Sequence, residues 1–169
     1  MMKRLLPAIL LCMACAGTLL AGQGTEPVRG DQPIQIKSNE LFTDNTARTA
    51  TFVGKVVARQ GDITIYSDRL VIFYAEKGKE VDRVEAFGNV RIVQENRLGL
   101  ANHALYENKA GKITLDGNPK VYQGDDVVTG KVITYLVNEQ KSVVTGGPNE
   151  RVEAVIHPKS KDNDGGTKP

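Results

Sequence analysis

The chain has 169 residues, with 22 basic and 20 acidic side chains, two cysteines and no tryptophan. Both cysteines, Cys12 and Cys15, lie near the start, so the rest of the chain has no thiol for a disulfide or for nucleophilic catalysis. Without Lys3 and Arg4, in the same leading segment, 20 basic residues balance 20 acidic ones. This neutrality argues against nucleic acid as a partner.

The first 21 residues have the pattern of a secretory signal peptide. Two basic residues precede an apolar run over residues 5–16, and the small residue Ala21 follows at a distance that suits cleavage. We expect cleavage after Ala21, with a cut after Ala16 as the alternative. A membrane anchor and a lipoprotein acylated at a cysteine are further alternatives, but the run is barely long enough to cross a bilayer. Residues 22–30 are then expected to be a flexible N-terminal segment.

Beyond this segment, apolar and polar residues alternate, as in β-strands. After residue 21 the chain has 27 valines and isoleucines but only seven leucines, and β-branched side chains favour strands. Alternation with period two occurs at residues 34–36, 63–65, 90–92, 113–115 and 133–137. Polar or glycine-containing turns separate these runs at residues 43–45, 60–62, 76–79, 94–96, 108–111, 123–125 and 146–149. The pattern predicts an all-β domain over residues 31–158, followed by a disordered polar tail over residues 159–169.

A repeat of about 30 residues appears when the chain is aligned with itself. Its first signature is an apolar residue, then a small residue two positions later and an apolar residue five positions later. Four copies are Ile36-Ser38-Leu41, Ile65-Ser67-Leu70, Leu100-Asn102-Leu105 and Val128-Gly130-Ile133. Its second signature is a glycine, found at Gly54, Gly88, Gly117 and Gly147. Such spacing is typical of units that bury their apolar faces only by stacking on each other.

Stacked units of this kind predict two facing sheets with an open end on each side. Apolar side chains point inwards and charged ones outwards, which gives the cross-section of a sandwich or jelly roll. Since large aromatic residues are few, an interior slot is compatible with the composition. The first strand, near Gln35, and the last, near Val155, have little that blocks pairing of their free backbone groups. Head-to-tail strand addition is therefore expected.

Two patterns that resemble nucleotide or metal sites fail on their residues. Residues 124–131 resemble a phosphate loop, but its glycines are one residue too far apart and Val132 replaces the hydroxyl that would hold magnesium. His103 and His157 are the only histidines, and they lie in different repeats with no nearby cysteine. We therefore expect no metal site and no cofactor.

Acidic residues provide the remaining candidates for chemistry. Residues 162–165 resemble the start of a calcium loop, but the closing glutamate is missing. Asp125 and Asp126 resemble the paired acids of a polysaccharide-cleaving β-solenoid, but they lie in a turn, where charged pairs are usually solvated. We expect no catalytic residues, and keep the β-solenoid enzyme as a low-ranking alternative.

Several segments resemble the OstA-like family of lipopolysaccharide-transport proteins: residues 31–36, 52–56, 60–61, 78–81 and 130–141. The resemblance extends from Asp31 to about Pro158, and residues 130–141 are its most specific part. It implies a twisted, partly open β-jelly roll built from repeated short antiparallel strands. It also implies a periplasmic protein that binds lipopolysaccharide, bridges the inner and outer membranes and holds the acyl chains of lipid A in an apolar groove.

The same resemblance implies partners and site residues. The partners are lipopolysaccharide, an LptC-like inner-membrane protein, an LptD-like outer-membrane protein and further copies of the chain, stacked head to tail. It places Ile34 and Ile36 at the mouth of the groove. Alternation adds further lipid-binding candidates, each of which could instead fill a closed core: Phe52, Val56, Ile65, Val90, Ile92, Leu100, Leu115, Ile133 and Tyr135. The expected partner interface consists of Ile34, Gln35, Ile36, Val152, Val155 and Ile156. The main alternative is a self-assembling structural β-repeat protein that carries no lipid.

Overall fold

The computed structural model describes residues 33–76 and 80–158. The predicted signal peptide (1–21), N-terminal segment (22–30) and tail (159–169) lie outside these residues. The strands of the described part are β1 (Gln35–Lys37), β2 (Glu40–Asp44), β3 (Thr49–Gln60), β4 (Ile63–Tyr74), β5 (Val81–Gln94), β6 (Arg97–Glu107), β7 (Lys112–Asp116), β8 (Lys120–Gln123), β9 (Asp126–Thr129), β10 (Val132–Leu136), β11 (Lys141–Thr145) and β12 (Glu153–Val155). The described residues contain no helix that is long and apolar enough to span a membrane. The all-β prediction is confirmed.

The described strands form one antiparallel sheet, which divides into two halves because the four long strands β3–β6 contribute to both. Half-sheet 1 contains β1, β8, β9, β12 and the adjoining parts of the long strands. Half-sheet 2 contains β2, β7, β10, β11 and the other parts of the long strands. In the described chain β1 and β2 pair only with β3, while β11 pairs only with β10 and β12 only with β9. The sheet is therefore open at both ends.

Glycine bulges mark the boundary between the two half-sheets. In β3 the pairing register shifts between Val53 and Val56, and similar shifts occur in β4 and β5. Gly54 has a φ of +81°, a conformation that glycine adopts readily, and a Cβ there would lie 2.6 Å from Nδ2 of Asn39. A bulge bends a strand without ending its pairing. The glycine signature of the repeat therefore marks the line along which the sheet folds, which we call the bend.

The register aligns the apolar positions of the repeat into two inner rows, because directly opposite residues share a face of the sheet. The inner row of half-sheet 1 is Ile36, Ala58, Ile65, Ile92, Gly99, Val121, Val128 and Ala154. The inner row of half-sheet 2 is Leu41, Phe52, Leu70, Ala86, Ala104, Leu115, Ile133 and Val144. Three of the four predicted repeat copies lie in these rows at the expected positions.

The predicted third copy is wrong by one residue. Gly99 and Ala104 occupy the inner-row positions for which the sequence alignment chose Leu100 and Leu105. Successive side chains in a strand point to opposite faces, so a shift of one residue moves every side chain to the other face. Leu100 therefore lies on the outer face, opposite Arg91. Its apolar side chain favoured the wrong alignment, whereas small residues occupy the inner row here.

Two apolar clusters place the inner faces of the half-sheets against each other. The first cluster combines Val90 and Ala101 of half-sheet 1 with Ala86, Leu115 and Ile133 of half-sheet 2. The second contains Val56, Ala58, Leu70 and Ile72. Val56 and Val90, both next to the bend, are 1% exposed. The interior is therefore closed near the bend.

Candidate binding cavity and open edges

An apolar cavity of about 230 Å³ lies between the inner faces of the two half-sheets. Half-sheet 1 contributes Ile36, Ala58, Ile63, Ile65 and Ile92, with Ile34 just before β1. Half-sheet 2 contributes Leu70, Ile72, Val84, Ala86, Ala104, Leu105, Tyr106, Ile113 and Tyr135, with Val137 just after β10. Pockets that enclose a whole small molecule usually measure about 300 to 1,000 Å³. This cavity fits one segment of an apolar ligand better than a complete ligand.

The cavity lies towards the hairpin ends of the strands and away from the bend. Gln60 and Gln94, beside hairpin turns of half-sheet 1, belong to its lining, as does Val137, beside a hairpin turn of half-sheet 2. The glycines of the bend do not line it. The two half-sheets thus converge at the bend and leave space between their hairpin ends.

Polar side chains line the end of the cavity in half-sheet 1. They are Gln60 and Gln94, and Nε2 of Gln94 donates a hydrogen bond to Oδ2 of Asp62 over 3.0 Å. Ile34, 42% exposed, lies at the same end. An apolar interior with a polar rim suits an amphiphilic ligand, whose apolar part leaves water while its polar part stays hydrated.

The predicted lipid-binding residues fall into three groups. Those that line the cavity are Ile34, Ile36, Ile65, Ile92 and Tyr135. Those that the structure places in or against the packed core are Phe52, Val56, Val90, Leu115 and Ile133. Leu100 forms the third group, on the outer face. Alternation identifies the inward-facing residues but does not show which of them border the cavity, since Leu70 and Ala104 line it from the same inner row as Leu115.

Sequence reasoning missed several cavity residues. Ile63 and Ile113 lie in alternating runs that the sequence shows, so their signal was present. Ile72 and Val84 are opposite each other in β4 and β5 and show no such run. Only the pairing of these two strands places them on the inner face.

The predicted partner interface lies at the two open edges. Ile34, Gln35 and Ile36 lie in or beside β1, and Val155 lies in β12 between Val152 and Ile156. Ile156 is the most exposed large hydrophobic residue of the described chain, at 68%. Three further exposed apolar residues, which sequence reasoning missed, extend the same edges: Leu41 and Phe42 in β2, and Val143 in β11.

The described residues contain no group of three or more His, Cys, Asp or Glu side chains that could hold a metal ion. Nδ1 of His103 lies 2.8 Å from Oδ2 of Asp116, and both residues face outwards beside Phe87. The backbone N–H of His157 donates to Oδ1 of Asp126 over 2.7 Å, which fixes the chain after β12 against β9. These contacts give the two histidines structural roles.

The chain is similar to proteins of lipopolysaccharide transport. Residues 35–141 match the family model described as LptA/(LptD N-terminal domain) LPS transport protein. The lipopolysaccharide export system protein LptA of Escherichia coli K12 is 34% identical over 148 residues, which cover 81% of this chain and 79% of that protein. The protein of the same name from Haemophilus influenzae is 33% identical over 153 residues, or 85% of this chain and 88% of that protein.

A solved structure supports the fold. The crystal structure of LptH from Pseudomonas aeruginosa, the LptA homologous periplasmic component of the conserved lipopolysaccharide transport device, has a TM-score of 0.69 to this chain. It is 20% identical in sequence, and the match covers 78% of this chain and 100% of that one. The predicted partly open β-jelly roll is thereby confirmed. The matched proteins are named for lipopolysaccharide transport or export, in agreement with the transport role expected for this chain. The chain belongs to the LptA/LptD N-terminal domain family of lipopolysaccharide transport proteins.

Proposed function

We propose that the chain is an exported periplasmic protein that binds lipopolysaccharide and bridges the inner and outer membranes. The observation that carries this proposal is the apolar cavity between the half-sheets, in a chain whose relatives are lipopolysaccharide export proteins. The acyl chains of lipid A enter this cavity, and the sugar and phosphate groups stay in water beyond the polar rim. The acyl contacts are made by Ile34, Ile36, Ile65, Ile92 and Tyr135.

Aliphatic walls suit a carrier that must both hold its cargo and release it. Each methylene group removed from water contributes about 0.8 kcal/mol, whichever apolar side chain covers it. Ile65, Ile92 and Ile113 provide this shelter without directional bonds, so an acyl chain slides along them without breaking hydrogen bonds. Of the other predicted contact residues, those of the packed core reach lipid only if the half-sheets separate further. Leu100, on the outer face, is no longer part of the proposed site.

The open edges extend the cavity from one molecule to the next. Ile34 and Ile36 line the cavity and also lie at the first edge, so the cavity reaches that edge. The last edge, formed by β11 and β12, presents exposed Val143, Val155 and Ile156. Strand addition between the first edge of one copy and the last edge of another covers these side chains and pairs their free backbone groups. The same edges serve an LptC-like inner-membrane protein and an LptD-like outer-membrane protein at the two ends of the stack.

Export follows from the leading sequence. Residues 1–21 are removed as a signal peptide, and the exported domain covers residues 31–158. N-terminal sequencing of the protein recovered from the periplasm should begin at Gly22. A chain that keeps Met1 would instead be anchored by its leading segment.

A photoreactive amino acid at neighbouring positions tests the cargo proposal. Ile113 lines the cavity, while Thr114, next to it in β7, points to the outer face of half-sheet 2. We expect a photoreactive group at position 113 to crosslink lipopolysaccharide, and the same group at position 114 to do so much less. Circular dichroism confirms that both variants are folded.

Two outcomes contradict the cargo proposal. Equal labelling at both positions would show that lipopolysaccharide adsorbs to the surface without entering the cavity. Absence of labelling, together with filaments that form without lipid, would favour the self-assembling structural protein.

A further inference from the structure

The outer face of half-sheet 1 carries three cations in one row across the strands. The row runs through Lys37, Val57, Tyr66, Arg91, Leu100, Lys120, Thr129 and Glu153, in this order. Neighbouring strands lie about 4.8 Å apart, so Arg91 is about 14 Å from Lys37 and about 10 Å from Lys120 along the row. All three basic residues are exposed. We call Lys37, Arg91 and Lys120 the cationic row.

The cationic row has no carboxylate partners within the described residues. None of the three side chains forms a salt bridge there, and the guanidinium of Arg91 lies 5.2 Å from the centre of the Tyr66 ring. On half-sheet 2, by contrast, Nζ of Lys112 is 2.6 Å from Oε2 of Glu107. Glu153, at the end of the row, is two strands or about 10 Å from Lys120 and forms no salt bridge with it. Among the described residues the three cations are therefore left without an ion pair.

Apolar side chains lie beside the cationic row on the same face. Val93, Leu98, Tyr122 and Val127 are directly opposite one another in the adjacent row and are partly exposed. Tyrosine together with aliphatic and basic side chains is typical of surfaces that lie at the interface between a bilayer and water. A soluble polyanion would need only the charges, so the apolar row favours a lipid surface.

We propose that this face docks the protein on the surface of an anionic phospholipid bilayer. The face is the opposite side of half-sheet 1 from the cavity, so a cargo molecule in the cavity and a bilayer under this face do not compete. Charges on a surface act within a Debye length of about 8 to 10 Å, which makes the contact reversible and sensitive to salt. The inference goes beyond cargo transport and does not depend on it.

Flotation with phospholipid vesicles tests the docking surface. We expect the protein to bind vesicles of mixed phosphatidylglycerol and phosphatidylcholine, and to bind pure phosphatidylcholine vesicles weakly. Since each surface cation contributes about fivefold to binding, the variant Lys37→Gln/Arg91→Gln/Lys120→Gln should lower the partition coefficient about 100-fold. Added salt should lower the binding of the unmodified protein but change that of the variant little.

A matched variant controls for the loss of net charge. Arg48→Gln/Lys109→Gln/Lys112→Gln removes the same three charges from half-sheet 2 and its hairpin turns. It should bind anionic vesicles almost as well as the unmodified protein. Single substitutions in the cationic row, each expected to reduce binding about fivefold, provide the test if the triple variant does not fold.

Three results would overturn the proposal. The first is no binding of the unmodified protein to anionic vesicles. The second is an equal loss in both triple variants, or no loss in either, which would assign binding to net charge or to lipid taken up by the cavity. The third is binding to soluble inorganic polyphosphate without binding to vesicles, which would assign the cationic row to a soluble polyanion.

Discussion

Leucine-to-alanine substitutions at Leu70 and Leu100 test the pairing register, because the same change falls on opposite faces of the sheet. Leu70 is 1% exposed and lies between Phe52 and Ala86 in the inner row of half-sheet 2. Alanine removes three carbon atoms, which at about 0.8 kcal/mol each account for about 2.4 kcal/mol of the free energy of unfolding. The paired strands on either side cannot close the space that remains, which raises the loss to about 3 to 4 kcal/mol. For Leu100, which is partly exposed on the outer face, we expect about 1 kcal/mol or less.

Urea unfolding followed by far-UV circular dichroism measures both losses, since the chain has no tryptophan to report unfolding by fluorescence. In thermal unfolding Leu70→Ala should lower Tm by about 10 °C, and Leu100→Ala by about 3 °C or less. Equal losses, or a larger loss at Leu100, would refute the register. The apolar positions of the third repeat would then lie one residue later, where the sequence alignment alone places them.

Three further substitutions test the bend, the core and the last edge. Gly88 has a φ of +74°, and a Cβ there would collide with the carboxylate of Asp68, so Gly88→Ala should cost about 1 to 3 kcal/mol in urea unfolding. If Gly88→Ala costs the same free energy of unfolding in a chain that also carries Asp68→Ala, the collision is not the cause of the loss. The buried hydroxyl of Ser67 has no hydrogen-bond partner in the described part of the chain. Ser67→Ala should therefore raise the free energy of unfolding by about 1 kcal/mol. A decrease would show that the hydroxyl does form a hydrogen bond. Ile156→Lys should weaken self-association by about tenfold or more in sedimentation velocity, which corresponds to a loss of about 1.4 kcal/mol of association free energy. Unchanged association would show that this edge is not part of the contact between copies.

Strand positions were predictable where alternation is strong. The run at residues 63–65 begins β4, the run at residues 133–137 covers most of β10, and the turn at residues 60–62 joins β3 to β4. The glycine signature by itself did not predict a bulge: at Gly54 and Gly88 the chain bends and continues as one long strand. A bulge keeps pairing on both sides of the extra residue, and its sequence resembles that of a strand end.

The site was predictable in character but not in its residues. Alternation placed Ile65 and Ile92 on an inner face, and both line the cavity. The same pattern chose Val90, which is 1% exposed in the core beside the bend. The cationic row has no signal in the sequence, because Lys37, Arg91 and Lys120 are far apart along the chain and become neighbours only through pairing.

The sequence by itself determined the strand class, the period of the repeat and the glycines of the bend, since each depends on a residue and its near neighbours. Only the tertiary structure decided the register of the third repeat, where Gly99 and Ala104 replace the leucines that an apolar pattern favours. It also decided which inward side chains border the cavity, because each of them faces residues of the other half-sheet that are distant in the sequence. The distance between the two half-sheets is a property of the whole fold, and no local sequence pattern encodes it.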